Sequence, residues 1–517
     1  MAKKVNLDAL IPREDFDVND DIGSITRNIS TLAVRDLEYD SFFYSVLRKP
    51  DFQRETNEWD QARISSLIES FLEGDLIPAV ILWKNGAGYT FVIDGAHRIS
   101  ALSSWINNDF GDGDISKKFY DRIVPEEQLD IADKCRSKVR KEVGLYKDYI
   151  LAKEHPDKVS EKIRERARFI GNLAIQVQWV EGDAKKAEAS FFKINQKAAP
   201  IDRTELKLLE ARRKATGISS RAILRGGKGH KYWSSFNPDN QELVQDLATK
   251  INSILFKPSL ITPVKTLDIP IAGKNLSSQG QMLVLEFVKM VNDIDPKVEL
   301  EDDETGETTI LFLKKCLKVA NLINSNDVSS LGLHPAVYFY AKNGRHKPAS
   351  FMATIDFVSY LKSRRQLKKF TTVRKEFEDI LINSEELIQQ IVRKYRSGAK
   401  SVPHVRNFYI EIIEQLSNEV SPKEIISNIM NESRFNYLSI RDTNINEITN
   451  SDFSSDRKSE IFITEALEHA LRCNICGGYI HRNSISIDHK KRKEDGGIGT
   501  VDNGQVSHPY CNSGYKN

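Results

Sequence analysis

Cys-Asn-Ile-Cys at residues 473–476 and His-Pro-Tyr-Cys at residues 508–511 are the two stretches that decide the fold of the C-terminal part of this chain. Zinc prefers four thiolate or imidazole ligands in a tetrahedron, and two pairs of closely spaced ligands provide such a set. The spacing therefore predicts a structural zinc site made of Cys473, Cys476, His508 and Cys511. The alternative is that four unrelated residues share this spacing by chance.

The segment between the two pairs carries residue types suited to phosphodiester hydrolysis. Asp488 and His489 follow a short apolar stretch. A neutral imidazole can accept a proton from water near pH 7, and a carboxylate can bind a hard divalent cation such as Mg²⁺. An Asp-His pair alone would be a surface dipeptide in most proteins. Its position between two pairs of predicted zinc ligands favours a catalytic role.

Residues 473–517 resemble the HNH endonuclease family, whose ββα-metal fold often has a zinc site at its base. The matching positions are the Asp-His pair, the hairpin glycines Gly496-Gly497, Asn503, and Asn512 directly after the last cysteine. The resemblance implies that His489 is the general base and that Asp488 and Asn512 bind a catalytic Mg²⁺ or Mn²⁺. It also implies that Asn503 orients the loop and the base. Asn512 stands where the family has His.

A run of cations directly follows the Asp-His pair. It consists of Lys490, Lys491, Arg492 and Lys493. By default such a run is a solvated surface. Beside a nuclease centre, contact with DNA phosphates is favoured, because Lys and Arg supply most nonspecific affinity for nucleic acid. His469 and His481 match no family position, and we expect them to be surface or packing residues.

The N-terminal half is most regular between residues 50 and 106. Apolar residues spaced i, i+3, i+4 from Ile64 to Leu72 predict an amphipathic helix, with Asp60 as its N-cap and Gly74 at its end. Two apolar stretches, at 79–83 and 89–93, predict strands joined by a glycine turn. A further strand is predicted at 173–180.

Asp94-Gly95 ends the second of these strands, and a helix is predicted from about Ala96. The amides of a helix N-terminus attract anions, and the Arg98 guanidinium suits phosphate. His97 could shuttle a proton or bind phosphate. The alternative is structural: Asp94 caps the helix and Arg98 pairs with it.

Three motifs in this half resemble the ParB-like N-terminal domain of GmrSD-type and SspE-type restriction proteins, over roughly residues 36–215. They are Gln53-Arg54, the Asp-Gly-Ala-His-Arg stretch at 94–98, and the segment around Asn195. Ala96 replaces a family Gln, and the third motif has Ala198 or Ala199 in place of Gly. The resemblance implies that a nucleotide or phosphate is bound by Gln53, Arg54, Asp94, Gly95, His97, Arg98 and Asn195.

Composition excludes some classes of protein. The chain has 75 basic and 73 acidic residues, so any nucleic-acid contact must come from a local patch. It has no run of about 18 apolar residues and no apolar stretch at its N-terminus, so we expect a cytoplasmic protein with no membrane partner. Three of the five cysteines lie in the last 45 residues, which indicates metal rather than disulfide.

The remaining chain predicts mostly amphipathic helices, for example at 281–291, 311–323, 349–361 and 373–392. Residues 331–348 look loop-rich and could be a core motif of the helical domain. Residues 451–459 are polar and form a candidate linker.

These patterns predict an α+β multidomain protein with a ParB-like α/β N-terminal domain, a mainly helical middle and a small zinc-bound ββα-metal domain. The expected divisions are an arm at 1–35, a nucleotide- or DNA-sensing domain at 36–225, a helical coupling domain at 226–455 and the HNH domain at 456–517.

The expected function is metal-dependent cleavage of DNA in defence against foreign DNA, gated by the N-terminal domain. The expected cofactors are structural Zn²⁺ and catalytic Mg²⁺ or Mn²⁺, with a nucleoside triphosphate and NTPase activity as further candidates. Homo-oligomerisation is left open. The alternatives are a non-catalytic nucleic-acid-binding protein and a nucleotide-driven regulator with a vestigial nuclease domain.

Overall fold

The computed structural model describes residues 4–14, 28–50, 53, 56–119, 124, 126–198, 207–208, 210–228, 233, 235–275, 278–295, 297–395, 398–440 and 452–514. The chain divides into two compact units. The first contains residues 1–212 and 229–234, and the second contains residues 213–228 and 235–517. Among the described residues, we find no helix that combines the length and the apolar character needed to cross a membrane.

A mixed sheet forms the centre of the first unit. Its strands are β1 (Arg13–Glu14), β2 (Thr31–Ala33), β3 (Leu47–Pro50), β4 (Val80–Lys84), β5 (Thr90–Asp94) and β6 (Ala174–Trp179). The order across the sheet is β1-β3-β5-β4-β6-β2. The β1/β3, β3/β5 and β4/β6 pairs are parallel, and β4/β5 and β2/β6 are antiparallel.

Helices pack around this sheet. They are α1 (Phe42–Val46), α2 (Gln61–Glu73), α3 (Ala96–Ile106), α4 (Asp114–Phe119), α5 (Glu126–Glu142), α6 (Tyr146–Glu154), α7 (Glu161–Ala167) and α8 (Ala184–Ala198). The predicted caps of α2 are confirmed. The Asp60 side chain accepts the Arg63 N–H, and Gly74 is left-handed at φ 74°. The predicted strands at 79–83, 89–93 and 173–180 are confirmed as β4, β5 and β6, within one residue at each end.

Part of the predicted N-terminal arm belongs to the core of the first unit. Val5, Leu7, Leu10 and Ile11 are almost fully buried in the same cluster as residues of β4, α2 and α3. β1 adds a short parallel edge to β3. Burial of four large apolar side chains explains why this polar-looking segment is ordered.

The second unit is mainly helical. Its helices are α9 (Ala215–Arg225), α10 (Pro238–Phe256), α11 (Ser278–Val291), α12 (Glu307–Ile323), α13 (Pro335–Tyr338), α14 (Pro348–Ser363), α15 (Leu367–Thr372), α16 (Arg374–Asn383), α17 (Glu385–Lys394), α18 (Gly398–Ser417), α19 (Pro422–Asn431), α20 (Ser455–Glu468) and α21 (Pro509–Gly514). The prediction of a single helix at 373–392 is wrong. The chain breaks at Ser384, consistent with the tendency of Asn and Ser to compete with the helical backbone.

Two other segments of this unit differ from their appearance in sequence. Residues 331–341 are almost wholly buried, around the short α13. Part of the stretch at 331–348 therefore belongs to the core of the helical unit, as the sequence allowed. The candidate linker at 451–459 becomes α20 from Ser455 onward, and the Ser459 hydroxyl accepts the Val264 N–H at 3.0 Å.

The C-terminal end of the second unit is a ββα element. β7 (Ser486–His489) and β8 (Gly504–Ser507) form an antiparallel hairpin, and α21 follows and contacts β7. The register pairs Asp488 with Gln505 and His489 with Gly504. The predicted α+β class with a small ββα-metal domain is confirmed.

Candidate metal centre and active site

Four buried side chains lie close together at the ββα element that contains the β7–β8 hairpin. One ligand atom from each of Cys473, Cys476, His508 and Cys511 lies within 4.8 Å of the others. A tetrahedral zinc about 2.3 Å from each sulfur needs ligand atoms about 4 Å apart, so a small inward movement completes the site. Three thiols and one imidazole also have the right chemistry. These residues fit zinc.

The His508 ring is oriented for metal binding. Its Nδ1 lies 3.3 Å from Cys476 Sγ, and its Nε2 lies 3.0 Å from the Tyr479 carbonyl oxygen. A carbonyl can only accept, so Nε2 carries the proton and Nδ1 presents its lone pair to the thiols. Such a second hydrogen bond fixes the tautomer of metal-binding histidines. Burial lowers the pKa of His508, which favours the neutral ligand form.

The three thiols influence one another strongly. Hydrogen bonds from Cys476 and Cys511 lower the pKa of Cys473. Cys476 and Cys511 each donate a hydrogen bond to Cys473, and this bond raises the pKa of both donors. The pKa of Cys476 rises to about 11. A bound metal deprotonates coordinating thiols outright, so binding of an ion by these residues would release protons.

A buried arginine from the helical body lies against this cluster. The Arg374 Nη1 is 3.3 Å from His508 Nδ1, and its Nη2 donates to the Gly332 carbonyl at 3.1 Å. Its Nε pairs with Glu378 at 2.7 Å, and both side chains are fully buried. A zinc ion with three thiolates carries a net charge of −1, which the guanidinium is placed to offset.

Glu378 is also fully satisfied by hydrogen bonds. Its Oε1 accepts the Tyr338 hydroxyl at 2.9 Å, and its Oε2 accepts the Tyr479 N–H at 2.8 Å. Arg374 and Glu378 are not predicted from the sequence. Their i,i+4 spacing on a helix is visible in the sequence, but nothing there distinguishes a buried pair from an exposed one.

The two unassigned histidines have different environments. His481 is buried, its Nδ1 lies 3.2 Å from the Asn324 side-chain oxygen, and its ring packs edge-on against His334. Burial lowers its pKa to about 4. His469 is exposed at the end of α20. Packing and surface positions are what the sequence predicted for these two residues.

The two proposed ligands of the catalytic ion, Asp488 and Asn512, lie near the end of β7. Asp488 is buried and its Oδ2 accepts the Gln505 side-chain amide at 3.0 Å. The Asn512 amide nitrogen donates to Ser486 Oγ at 2.7 Å and to the Ile487 carbonyl at 3.2 Å. Ser486 and Asp488 share one face of the strand, because strand residues alternate. Asn512 therefore lies beside the face that carries Asp488.

His489 occupies the other side of the same strand end. It is half-buried, and the residue opposite it on β8 is Gly504, which has no side chain to cover the imidazole. The proposed base and the proposed ion ligands are therefore adjacent along the chain but on different faces of β7. This placement leaves the imidazole accessible to a water at the strand end.

Asn503 holds the loop that follows His489. Its Oδ1 accepts the Lys491 N–H at 2.7 Å, and its amide nitrogen donates to the carbonyls of Lys491 and Ile498 at 3.2 and 2.9 Å. Gly497 lets the loop close, because a Cβ there would overlap the Lys491 carbonyl oxygen. Asn503 thus fixes the backbone two residues beyond the imidazole.

The cation run occupies this loop. The side chains of Lys490, Lys491, Arg492 and Lys493 are exposed, and the Lys490 ammonium donates to the Asp502 carbonyl at 3.0 Å. No ion pair with an acid of the described part of the chain neutralises them. They are available to an anionic ligand.

The motif of the first unit forms a strand-to-helix corner. Gly95 is the N-cap of α3 at φ 99°, and a Cβ there would lie 2.6 Å from Val80 Cγ1. The Arg98 Nη2 donates to Asp94 Oδ2 at 2.9 Å and to the Ala79 carbonyl at 3.1 Å. The structural alternative predicted that Asp94 caps α3 and pairs with Arg98. The ion pair is present, but Gly95 rather than Asp94 is the N-cap.

The other predicted residues of this corner are only partly described. His97 stacks on Trp59 with ring centroids 5.6 Å apart. Gln53 is buried, and its side-chain oxygen lacks a hydrogen-bond partner among the described residues. Arg54 and the side chain of Asn195 lie outside the described residues, as does the helix start predicted at Thr204.

Two family models match the chain. Residues 35–211 match the GmrSD restriction endonuclease, N-terminal domain, and residues 473–517 match the HNH endonuclease. No curated protein and no solved structure matches significantly. The predicted combination of a GmrSD-type N-terminal domain with a C-terminal HNH domain is confirmed. The two matches support a nuclease of the GmrSD restriction type, with DNA as its partner.

Proposed function

We propose that this protein is an endonuclease that cleaves foreign DNA at the end of β7, with His489 as the general base. The observation that carries the proposal is the convergence of the HNH match with the geometry of this strand end. There, an accessible imidazole lies next to a buried carboxylate.

The His489 imidazole would accept the proton of the attacking water as a general base. Asn503 would keep the imidazole in place by holding the backbone at Lys491. The exposed cations from Lys490 to Lys493 would hold the phosphates that flank the scissile bond.

Asp488 and Asn512 would hold the catalytic ion. They offer a carboxylate and an amide oxygen beside the same strand face. Mg²⁺ is commonly bound through one or two protein ligands and keeps several waters, so two ligands suit it. The ion would stabilise the negative charge that develops on the phosphate.

The match of residues 35–211 to the GmrSD restriction endonuclease, N-terminal domain, is consistent with a sensing role for the first unit. We propose that the corner at Asp94–Arg98 binds a nucleotide or DNA feature and controls cleavage, with residues 226–455 as the coupling domain. The positive φ of Gly95 and the start of α3 support this, because they leave helix amides facing the corner. The test compares cleavage with and without nucleoside triphosphates for wild type and Arg98→Lys. Loss of nucleotide stimulation in the variant supports gating, and equal stimulation contradicts it.

Plasmid cleavage tests the catalytic assignment. Wild type should cut in Mg²⁺ or Mn²⁺, and His489→Ala should lose at least about 100-fold in rate, the usual contribution of a general base. The matched control is His469→Ala, because His469 is an exposed histidine of the same unit outside the site. Equal cutting by wild type and His489→Ala would contradict the proposal.

Assays of DNA binding and nucleotide hydrolysis on the same proteins separate the remaining functions. Tight binding of DNA without cleavage in either metal would favour a non-catalytic nucleic-acid-binding protein. Nucleotide hydrolysis that Arg98→Ala abolishes, again without cleavage, would favour a nucleotide-driven regulator.

A further inference from the structure

The connection between α14 and α15 carries an unusual concentration of positive charge. Residues 357–375 contain no Asp or Glu, although acidic and basic residues are almost equal in the whole chain. The seven cations of this segment are Lys362, Arg364, Arg365, Lys368, Lys369, Arg374 and Lys375. We call residues 362–369 the basic turn.

The basic turn faces solvent. Its five cations are exposed or half-buried. Among the described residues, no acid pairs with Lys362, Arg364, Arg365 or Lys369. By contrast, Lys375 just beyond the turn pairs with Asp379 at 3.1 Å. The whole chain has 75 basic and 73 acidic residues, so an ordinary solvated surface segment would carry charges of both signs.

The turn is held rigidly by the core beneath it. Leu361 and Phe370 flank it and are buried, and the Phe370 ring packs edge-on against Phe357 and Phe377 at 5.6 and 5.5 Å. Backbone hydrogen bonds from Gln366 to Leu361 and from Arg364 to Tyr360 close the connection. A backbone that is already ordered loses less entropy when the turn binds an anion.

The turn also connects directly to the zinc site. The next two cations, Arg374 and Lys375, begin α16 and lie against the zinc-binding loop. Arg374 reaches His508, and a Cβ on Gly477 would lie 2.8 Å from the Lys375 side chain. The basic turn and the ββα element therefore belong to one packed unit.

We propose that the basic turn binds the phosphate backbone of duplex DNA and anchors it to the helical body while the hairpin cleaves. This inference rests on the proposed nuclease function. Cations spread over eight residues on a solvent-facing turn match an extended polyanion better than a compact phosphate. They are also separate from the cation run after His489, so the chain would hold DNA at two places.

The test measures DNA binding rather than cleavage. The full-length protein with His489→Ala binds a fluorescent duplex, and anisotropy gives the dissociation constant at several salt concentrations. In that background, Arg364→Gln/Arg365→Gln/Lys369→Gln should bind more weakly. The salt slope should fall by about 0.9 for each phosphate that the variant no longer neutralises, or about 2 to 3 in total.

The matched control neutralises three exposed cations of α12, as Lys314→Gln/Lys315→Gln/Lys318→Gln. Both triple variants remove three charges from the same unit, and equal melting temperatures would show that both fold. A larger loss of affinity for the turn variant supports the proposal. Equal losses, or no loss in either, overturn it. Failure of the nuclease proposal would appear separately, as absence of plasmid cutting by wild type with DNA binding intact.

Discussion

The C-terminal module (residues 473–514), with its potential zinc site, and the corner at Asp94–Arg98 both carry family motifs, but their residues are held differently. In the module, every zinc ligand lies within 39 residues of the others, and the hairpin brings Asp488 and His489 beside α21. In the corner, Arg98 already bonds Asp94 and the Ala79 carbonyl. A guanidinium engaged in this way has fewer donors left for a ligand.

The two regions show that residues of a family motif can differ in how far their side chains are already engaged within the fold. His489 has an open flank opposite Gly504, whereas Arg98 is tied to its own strand-to-helix junction. Variants of both regions can test whether the module depends on its metal and its buried arginine while the corner tolerates change.

Removal of a zinc ligand should have the largest effect. Cys476→Ser should abolish zinc binding and unfold residues 473–514, because metal binding supplies much of the folding energy of so small a module. Zinc content by mass spectrometry and hydrogen exchange of the module's peptides would show it. Exchange in the first unit should not change.

The control for this variant is Cys316→Ser, which makes the same chemical change at a buried thiol of the same unit outside the metal site. Burial raises the pKa of Cys316 to about 12, so this thiol stays protonated and unreactive. It should retain full zinc content. A zinc-free wild-type module that is nevertheless protected from exchange would contradict the assignment of a structural metal.

Loss of the buried arginine should have the next largest effect. Arg374→Met leaves Glu378 buried without its cation, which typically costs about 3–5 kcal/mol. It also removes the positive charge beside the thiolates, so zinc should leave faster in a chelator competition assay. Urea unfolding of the second unit measures the stability.

Two variants sharpen this result. Arg374→Met/Glu378→Gln removes both charges and should recover part of the loss, because no buried charge is then unpaired. Arg406→Met breaks the half-exposed pair with Asp356 and should cost about 1 kcal/mol or less. Equal costs for Arg374→Met and Arg406→Met would show that burial of the first pair is unimportant.

The hairpin loop should respond to a single methyl group. Gly497→Ala places a Cβ against the Lys491 carbonyl, so the loop must shift, at a cost of about 1–3 kcal/mol. Because Asn503 clamps the same residue, cleavage should fall as well. Gly499→Ala is the control, since a Cβ there meets nothing within 4 Å. Equal activity and melting temperature in both variants would remove the support for an ordered loop.

The corner should tolerate change best. Asp94→Asn keeps the shape of the side chain and weakens a partly exposed ion pair, which should cost about 1 kcal/mol or less in thermal unfolding. The baseline for thermal unfolding is Ser45→Ala, because Ser45 is an exposed residue of the same unit. A loss of stability comparable to that of Arg374→Met would mean that the pair is essential to the fold and would end the contrast between the two regions.

Much of the local structure could be predicted from the sequence. The caps of α2, the strands β4, β5 and β6, and the clustering of the four potential zinc ligands all follow from short spacings, because a turn, a cap or a ligand pair is decided by neighbours in the chain. The order of residues 4–11 could not be predicted with the same rules, because it comes from burial of Val5, Leu7, Leu10 and Ile11 against distant residues of β4, α2 and α3.

The sequence alone predicts that four potential zinc ligands and an Asp-His pair lie within one short C-terminal segment, since both depend on residues close together in the chain. Only the tertiary structure decided that Arg374 and Glu378, more than 90 residues earlier, lie beside those ligands, and that the basic turn joins the same packed unit. Burial is a property of the assembled core, and an i,i+4 ion pair in the sequence gives no measure of how much water it will lose.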